Sequence, residues 1–206
     1  MLMATDRYQL SFTAGGLFLQ EAPVIAARFL RCHDWRQTRA EIRDENLMQQ
    51  RTAAAGTRLG KEVVTRLETL SVAELEELCD ASTRDKGYLL WVAACRRYRF
   101  VRDFANEVMR EHYLSLRHQL TAGDYESFYN GKALWHAELD ELAASTQQKL
   151  RQNIFRMLRE ADLVSPKNQI QAVLMSPRIA QLIAQQSQED LLIFPASESE
   201  IQRWLS

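Results

Sequence analysis

The sequence contains few of the residues that interrupt helices. Its 206 residues include only 7 glycines and 4 prolines, and these two residue types disfavour a helix interior most strongly. Leu, Ala, Glu, Gln and Arg are abundant instead. The composition predicts a mainly α fold, in a chain long enough for one domain of ordinary size or two small ones.

Cysteine is scarce as well, with Cys32, Cys79 and Cys95 as the three in the chain. An odd number without a CxxC pair argues against a disulfide framework and against a structural zinc site. Residues 1–16 lack the layout of a signal peptide, and no apolar run approaches the roughly 18 residues that a membrane-spanning helix needs. We therefore expect a soluble, cytoplasmic protein without a membrane partner.

The chain also lacks the motifs of common catalytic sites. It has no GxGxxG or GxxxxGK[ST] loop to hold phosphates, no HExxH zinc motif and no nucleophile elbow. Its four histidines show no paired metal-ligand spacing, and its clustered carboxylates suit solvated helix faces. These absences predict a protein that is not an enzyme and that needs no metal and no cofactor.

The chain has no marked excess of positive or negative charge either, because its formal net charge is −1. A surface that binds a polyanion must therefore be a local patch. Most of the basic residues are arginines, whose planar guanidinium suits bidentate contacts with phosphates and bases.

The most distinctive stretch of the sequence lies at residues 88–116. It combines the longest apolar run, Leu89–Cys95, with the densest basic cluster, which includes Arg96, Arg97 and Arg99. Helical periodicity then places apolar residues on one side and arginines on the other. The stretch predicts a buried helix or helix pair with an arginine-lined edge, or more simply a core helix with a solvated charged face. Its arginines either widen a basic patch or pair with the acidic helix near Glu76.

A first candidate DNA-binding element lies at residues 51–70. Gly56-Thr57 predicts a turn, and in the helix that follows, Arg58 and Lys61 point away from the apolar stripe. A helix, a short turn and a second helix with a basic face are typical of a helix-turn-helix. An ordinary helical hairpin has the same pattern and remains the alternative.

A second candidate lies at residues 145–175. Ser145-Thr146 predict the start of a helix that runs to about residue 161, with Lys149, Gln152, Arg156 and Arg159 opposite its buried stripe. Two extended runs follow, joined by a turn at residues 165–168 that carries Lys167. This order predicts a winged helix with a small β hairpin as the wing, although a plain amphipathic helix exposes a similar face.

Four segments together resemble one known family. They are SFTAGGLFLQEA from Ser11, LLWVAACRRYRFVRDFANEVMREHYLSLR from Leu89, KALWHAELDELAASTQQKLRQNIFRMLREADL from Lys132 and SPRIAQLI from Ser176. The chain is similar to the BrxA family, the small accessory proteins of BREX bacteriophage-exclusion systems. The resemblance implies a helical protein with winged-helix-like elements that binds double-stranded DNA in phage defence and has no enzymatic activity.

Together these observations predict a helical bundle in three parts that form one compact unit: residues 1–83 with the helix-turn-helix-like element, 84–131 with the central helices, and 132–206 with the winged-helix-like part. The expected partners are double-stranded DNA and other BREX proteins. An adaptor that docks on a larger BREX component and an RNA-binding helical protein remain alternatives. The candidate DNA-binding residues are Arg58, Lys61, Arg96, Arg97, Arg99, Lys149, Gln152, Arg156, Arg159 and Lys167.

Overall fold

The computed structural model of the chain describes residues 7–206, which form a mainly helical protein. Within that range lie twelve α-helices, one π-helical turn and one 3-10 helix. The helices of the first half are α1 (Glu21–Cys32), α2 (Trp35–Asp44), α3 (Ala53–Leu67), α4 (Val72–Asp80), α5 (Thr83–Arg97) and α6 (Arg99–Phe104). The helices of the second half are α7 (Glu111–Leu114), α8 (Ala122–Ala133), α9 (Ala137–Asp140), α10 (Ala144–Glu160), α11 (Pro177–Gln186) and α12 (Glu198–Leu205).

Helix α5 lies at the centre of the core, as the apolar run predicts. Every residue from Gly87 to Cys95 is buried, and the helix packs against α3, α4, α6, α10 and α11. The Trp91 indole is fully buried and donates a hydrogen bond to the Ile193 carbonyl at 3.2 Å. Because α5 is buried on all sides over these residues, tertiary packing is what stabilises it.

The extended backbone of Tyr98 separates α5 from a second rod, which consists of α6, a π-helical turn at Ala105–Arg110 and α7. Phe100 and Phe104 of this rod are fully buried. They make edge and tilted ring contacts with Tyr125 and Phe128 of α8. The prediction of a buried helix pair is confirmed, and the aromatic residues of α8 are packing residues.

An irregular arm at residues 7–20 ties the helices of both halves together. The Tyr8 hydroxyl donates to Asp103 of α6 at 2.6 Å, and the Phe12 carbonyl accepts from Asn153 of α10 at 2.9 Å. One cluster of buried side chains runs from the arm to α12. The division into three parts stays a prediction.

Gly56, which the sequence analysis places in a turn, lies inside a helix. Thr52 caps α3 by accepting from the Ala55 amide at 3.3 Å, so the helix begins before Gly56. Three consecutive alanines after that cap favour the helix more than one glycine disfavours it. The link between α2 and α3, residues 45–52, is therefore longer than the short turn of a helix-turn-helix. Helix α8 likewise continues through Gly131.

The wing hairpin is not seen in the described part of the chain. Val164 bridges Ile170 and Gln119 bridges Gln169, both as isolated antiparallel bridges. Pairing stops there because the following residues pack inward: Val173 and Met175 are buried. The segment is a tight turn whose backbone is hydrogen-bonded to residues 118–120. The winged-helix assignment is not confirmed.

The segment before Phe194 is a 3-10 helix, Gln188–Ile193. Asp190, Leu191 and Ile193 are all buried in this segment. A strand with one buried face would alternate instead. No helix between residues 7 and 206 has both the length and the apolar character to cross a membrane.

Candidate nucleic-acid interface

Helix α3 carries the first predicted pair of cations on its open face. Arg58 and Lys61 are exposed, while Val63, Val64 and Leu67 turn into the core. Neither cation has a carboxylate partner among residues 7–206. Their charges are therefore free to meet an anionic ligand.

Helix α10 carries the second predicted set. It begins at Ala144, and Ser145-Thr146 do not cap it. Its buried stripe is confirmed, and its opposite face exposes the four predicted side chains. These are Lys149, Gln152, Arg156 and Arg159.

The exposed face of α10 continues onto the turn at residues 165–168. Arg159 donates to the Asn168 side-chain oxygen at 2.9 Å, and the neighbouring Lys167 is exposed. The structure thus brings Lys167 next to the α10 cations, as predicted, although no hairpin presents it.

The two predicted sets meet at one cleft. Arg58 of α3 and Arg156 of α10 line the same cavity of about 550 Å³, which lies over the arm near Gly15. Arg156 donates to Glu160 at 2.7 Å within α10, so its charge is partly balanced. Its side chain is still 57% exposed. Elements that are far apart in the sequence thus form one surface.

A third set of cations was missed by the sequence analysis. Arg36, Arg39 and Arg43 follow one side of α2 at i, i+3 and i+7, a spacing that places them on one helix face. Together with Lys61 they surround a groove of about 680 Å³ between α2 and α3. The spacing was visible in the sequence, but nothing there showed that this face adjoins α3.

Exposed carboxylates balance part of this third set. Arg39 lies 2.5 Å from Glu68 and Arg43 lies 2.8 Å from Asp44. The hydrogen bond to Asp44 raises the pKa of Arg43. Arg36 is exposed and forms no ion pair with the described residues.

The central arginines have a different role. Arg96, whose side chain is 12% exposed, lies 2.8 Å from Glu74 and 2.7 Å from Asp190. Burial alone would lower the pKa of its guanidinium, but hydrogen bonds and charges from these two carboxylates raise it. Arg96 therefore stays cationic inside a buried ion network and is not available to a ligand.

Arg97 and Arg99 are also held by the protein itself. Arg97 lies over the Tyr98 ring at 5.8 Å and is half-buried. Arg99 lies over the Tyr8 ring at 5.8 Å and 3.8 Å from Asp103. Arg96 and Arg97 of the densest basic cluster are thus occupied within the protein, whereas the Arg99 side chain is still 55% exposed.

Acidic groups are concentrated on another part of the surface. Glu76, Glu77 and Asp80 of α4 line a cavity of about 490 Å³ with Arg178 of α11. Between residues 7 and 206, no group of three or more acidic, histidine or cysteine side chains is arranged to hold a metal ion. The net charge near zero therefore combines an acidic area on α4 with exposed cations on α2, α3 and α10.

Fold and surface together define an all-helical protein with segregated charge. A family model described as BrxA matches residues 6–187. The chain is similar to BREX protein BrxA from Escherichia coli O9:H4 (strain HS), with 26% identity over 180 residues that cover 86% of this chain and 84% of that protein. A BREX protein BrxA from Paramagnetospirillum magneticum (strain ATCC 700264 / AMB-1) is 25% identical over 163 residues, which cover 79% of this chain and 82% of that protein.

A solved structure shares the fold. The crystal structure of an uncharacterized protein from Magnetospirillum magneticum matches with a TM-score of 0.77 at 22% identity, covering 92% of this chain and 100% of that chain. The chain belongs to the BrxA family of BREX anti-phage systems.

Proposed function

We propose that this BrxA-family protein binds double-stranded DNA in phage defence, without catalysing a reaction on it, and that it acts in the cytoplasm. The observation that carries the proposal is the cleft at which Arg58 and Arg156 meet. Lys61 is exposed on the same helix as Arg58, although it lines the groove towards α2, and Arg159 is exposed on the same helix as Arg156.

The chemistry of this surface favours a polyanion. Cations that neutralise phosphates release the counterions condensed on DNA, which provides a favourable, sequence-independent term. Exposed arginines and lysines without strong carboxylate partners can exchange water for phosphate at little cost. Gln152 lies among the α10 cations, and an amide side chain can also hydrogen-bond to phosphate oxygens. We therefore expect salt-sensitive binding with modest sequence preference.

The test measures the affinity for a labelled duplex of about 20 base pairs by fluorescence anisotropy over a series of salt concentrations. Each phosphate contact contributes about −0.9 to the slope of log K against log salt. The variant Arg156→Ala/Arg159→Ala should bind more weakly, with a slope less negative by about 1.8. The wild type should show a steep negative slope.

A matched control removes the same charge elsewhere. Arg178 is 80% exposed beside Glu77, and Arg203 is exposed on α12. Arg178→Ala/Arg203→Ala should leave the slope unchanged. A wild type that fails to bind the duplex at low salt would overturn the proposal, as would a clear preference for RNA over duplex DNA.

A second function is supported by a different surface. Leu134 and Trp135, which follow α8, are 79% and 71% exposed, and large apolar side chains at the surface are common at protein interfaces. An adaptor that docks on a larger BREX component would use this pair. Leu134→Ser should then weaken a complex with co-expressed BREX proteins while duplex affinity stays the same.

A further inference from the structure

Helix α3 has cations along both of its flanks. On one side, Arg36, Arg39 and Arg43 of α2 border the groove next to it. On the other side, Arg156 of α10 lines a cleft together with Arg58, and it donates there to Glu160 at 2.7 Å. The exposed face of α3 therefore lies between two basic borders.

Helix α10 has such a border on one side only. Its other side adjoins α8, where Arg151 lies 2.6 Å from Glu126. That cleft is lined mainly by uncharged side chains, among them Tyr125 and Gln147. Neighbouring helices thus place cations on both sides of α3 but on only one side of α10.

Duplex geometry makes this difference informative. A helix that enters the major groove, which is about 12 Å wide, has one phosphate strand on each side of it. The inserted helix should then have cations on both flanks, where they can contact both strands. Of the two helices that the sequence singled out, α3 meets this condition.

We infer that α3 enters the major groove, with the α2 arginines on the phosphates of one strand and the α10 arginines on those of the other. This inference rests on the proposed function and deepens it. It assigns Arg36, Arg39 and Arg43 to the DNA-binding site. It also assigns base contacts to α3 rather than to α10.

The local structure of α3 suits insertion. Its exposed N-terminal half carries Ala53, Ala54 and Thr57, whose small side chains let the helix backbone approach the base edges. Alanine and threonine methyl groups contact the thymine methyl, and Arg58 or Lys61 can contact guanine. The partial positive charge at the start of the helix also favours nearby phosphates.

The α2 border is held at a fixed distance from α3. At Gly60, an added Cβ would lie 2.7 Å from the Ile42 Cγ2 atom, so the two helices touch there. Arg36 has no carboxylate partner in the described chain. The exposed pairs of Arg39 and Arg43 contribute little, so a phosphate can replace those carboxylates.

The first experiment locates the major groove on the unmodified protein. Duplexes that carry a photoreactive diazirine on the thymine 5-position, which projects into the major groove, are irradiated in complex with wild-type protein. Mass spectrometry then maps the adducts. We expect them within residues 51–61 of the α3 region. Adducts confined to residues 147–160 would overturn the inference in favour of α10.

The second experiment measures the α2 border. Arg36→Ala/Arg39→Ala/Arg43→Ala should make the salt slope less negative by about 2.7, at about 0.9 for each lost phosphate contact. Circular dichroism confirms that the variant keeps its helix content. If the wild type binds but this slope is unchanged, the inference fails and the proposed function stands. If the wild type does not bind at all, the proposed function itself fails.

Discussion

Asp190 is the carboxylate on which the central ion network depends, and Asp190→Ala should strongly destabilise the fold. Its side chain is 4% exposed and lies 2.7 Å from Arg96 and 2.5 Å from Arg102. The network joins the 3-10 helix to α5 and α6. Removing one partner of a buried ion pair costs about 3–5 kcal/mol, because a charge is left without its counterion.

The structure places the expected loss near the lower end of that range. In the variant, Arg96 keeps its bidentate contact with Glu74 and a hydrogen bond to the Thr69 carbonyl at 3.1 Å. Arg102 is 24% exposed, so water can replace part of what it loses. We expect the free energy of unfolding to fall by about 3 kcal/mol.

Urea denaturation followed by tryptophan fluorescence measures this loss. With a slope of about 2–3 kcal/mol per molar urea, the midpoint should fall by about 1–1.5 M. Glu189→Ala is the matched control, because that side chain is 81% exposed and lies 3.8 Å from Arg102. The control should change stability by less than about 0.5 kcal/mol. A loss below 1 kcal/mol for Asp190→Ala, or equal losses for both variants, would refute the argument.

Three further substitutions test other parts of the fold. Gly131→Ala should stabilise the protein by about 0.5–1 kcal/mol, because Gly131 lies inside α8 with nothing within 4 Å of an added Cβ. Measured for both variants by the same urea denaturation, Gly87→Ala should instead cost about 1–3 kcal/mol, since its Cβ would lie 3.2 Å from the Glu160 carbonyl oxygen. Equal effects at both glycines would contradict the packing of α5 on α10. Burial alone would raise the pKa of Glu138, but hydrogen bonds from the Tyr8 amide, from its own amide and from His136 lower the pKa overall. A carboxylate whose pKa is lowered by folding stabilises the fold at pH values above its unfolded pKa, and this stabilisation is lost as the pH falls through the folded pKa. The difference in unfolding free energy between wild type and Glu138→Gln should therefore shrink from about pH 6 to about pH 3. A difference that stays constant with pH would show that the charge of Glu138 is not involved.

Local patterns were enough to predict much of the fold. The apolar run of α5 and the amphipathic stripe of α10 depend on residues a few positions apart. The helix caps at Asp34, Ser71, Ser176 and Ser197 also depend on near neighbours, because each side chain accepts from an amide two or three residues further on. The turn predicted at Gly56 was wrong for a local reason too, because the Thr52 cap and the three alanines that follow it favour a helix that begins earlier.

The role of the central arginines could not be predicted in this way. The Arg96 side chain bonds to Asp190, which lies 94 positions further along the chain, and to Glu74, which is fully buried in α4. Spacing within a helix shows which side a residue faces. It does not show which carboxylates tertiary packing will bring to that side. Pairing with the acidic helix α4 was one of the two roles that the sequence left open for Arg96, but the sequence did not identify Glu74 and Asp190 as the partners.

The spacing of the candidate interface also depends on long-range contacts, and these all meet at one turn of the arm. Arg66 of α3 donates to the Gly16 carbonyl at 2.7 Å, and the Leu17 amide donates to Glu160 of α10. A side chain at position 16 would overlap the Glu160 carboxylate in its present position, so glycine lets that carboxylate reach the Leu17 amide. The same carboxylate accepts from Arg156. Since one turn binds both helices, it fixes the distance between α3 and α10, and with it the separation of Arg58 from Arg156. A preorganised separation reduces the entropy lost when DNA binds.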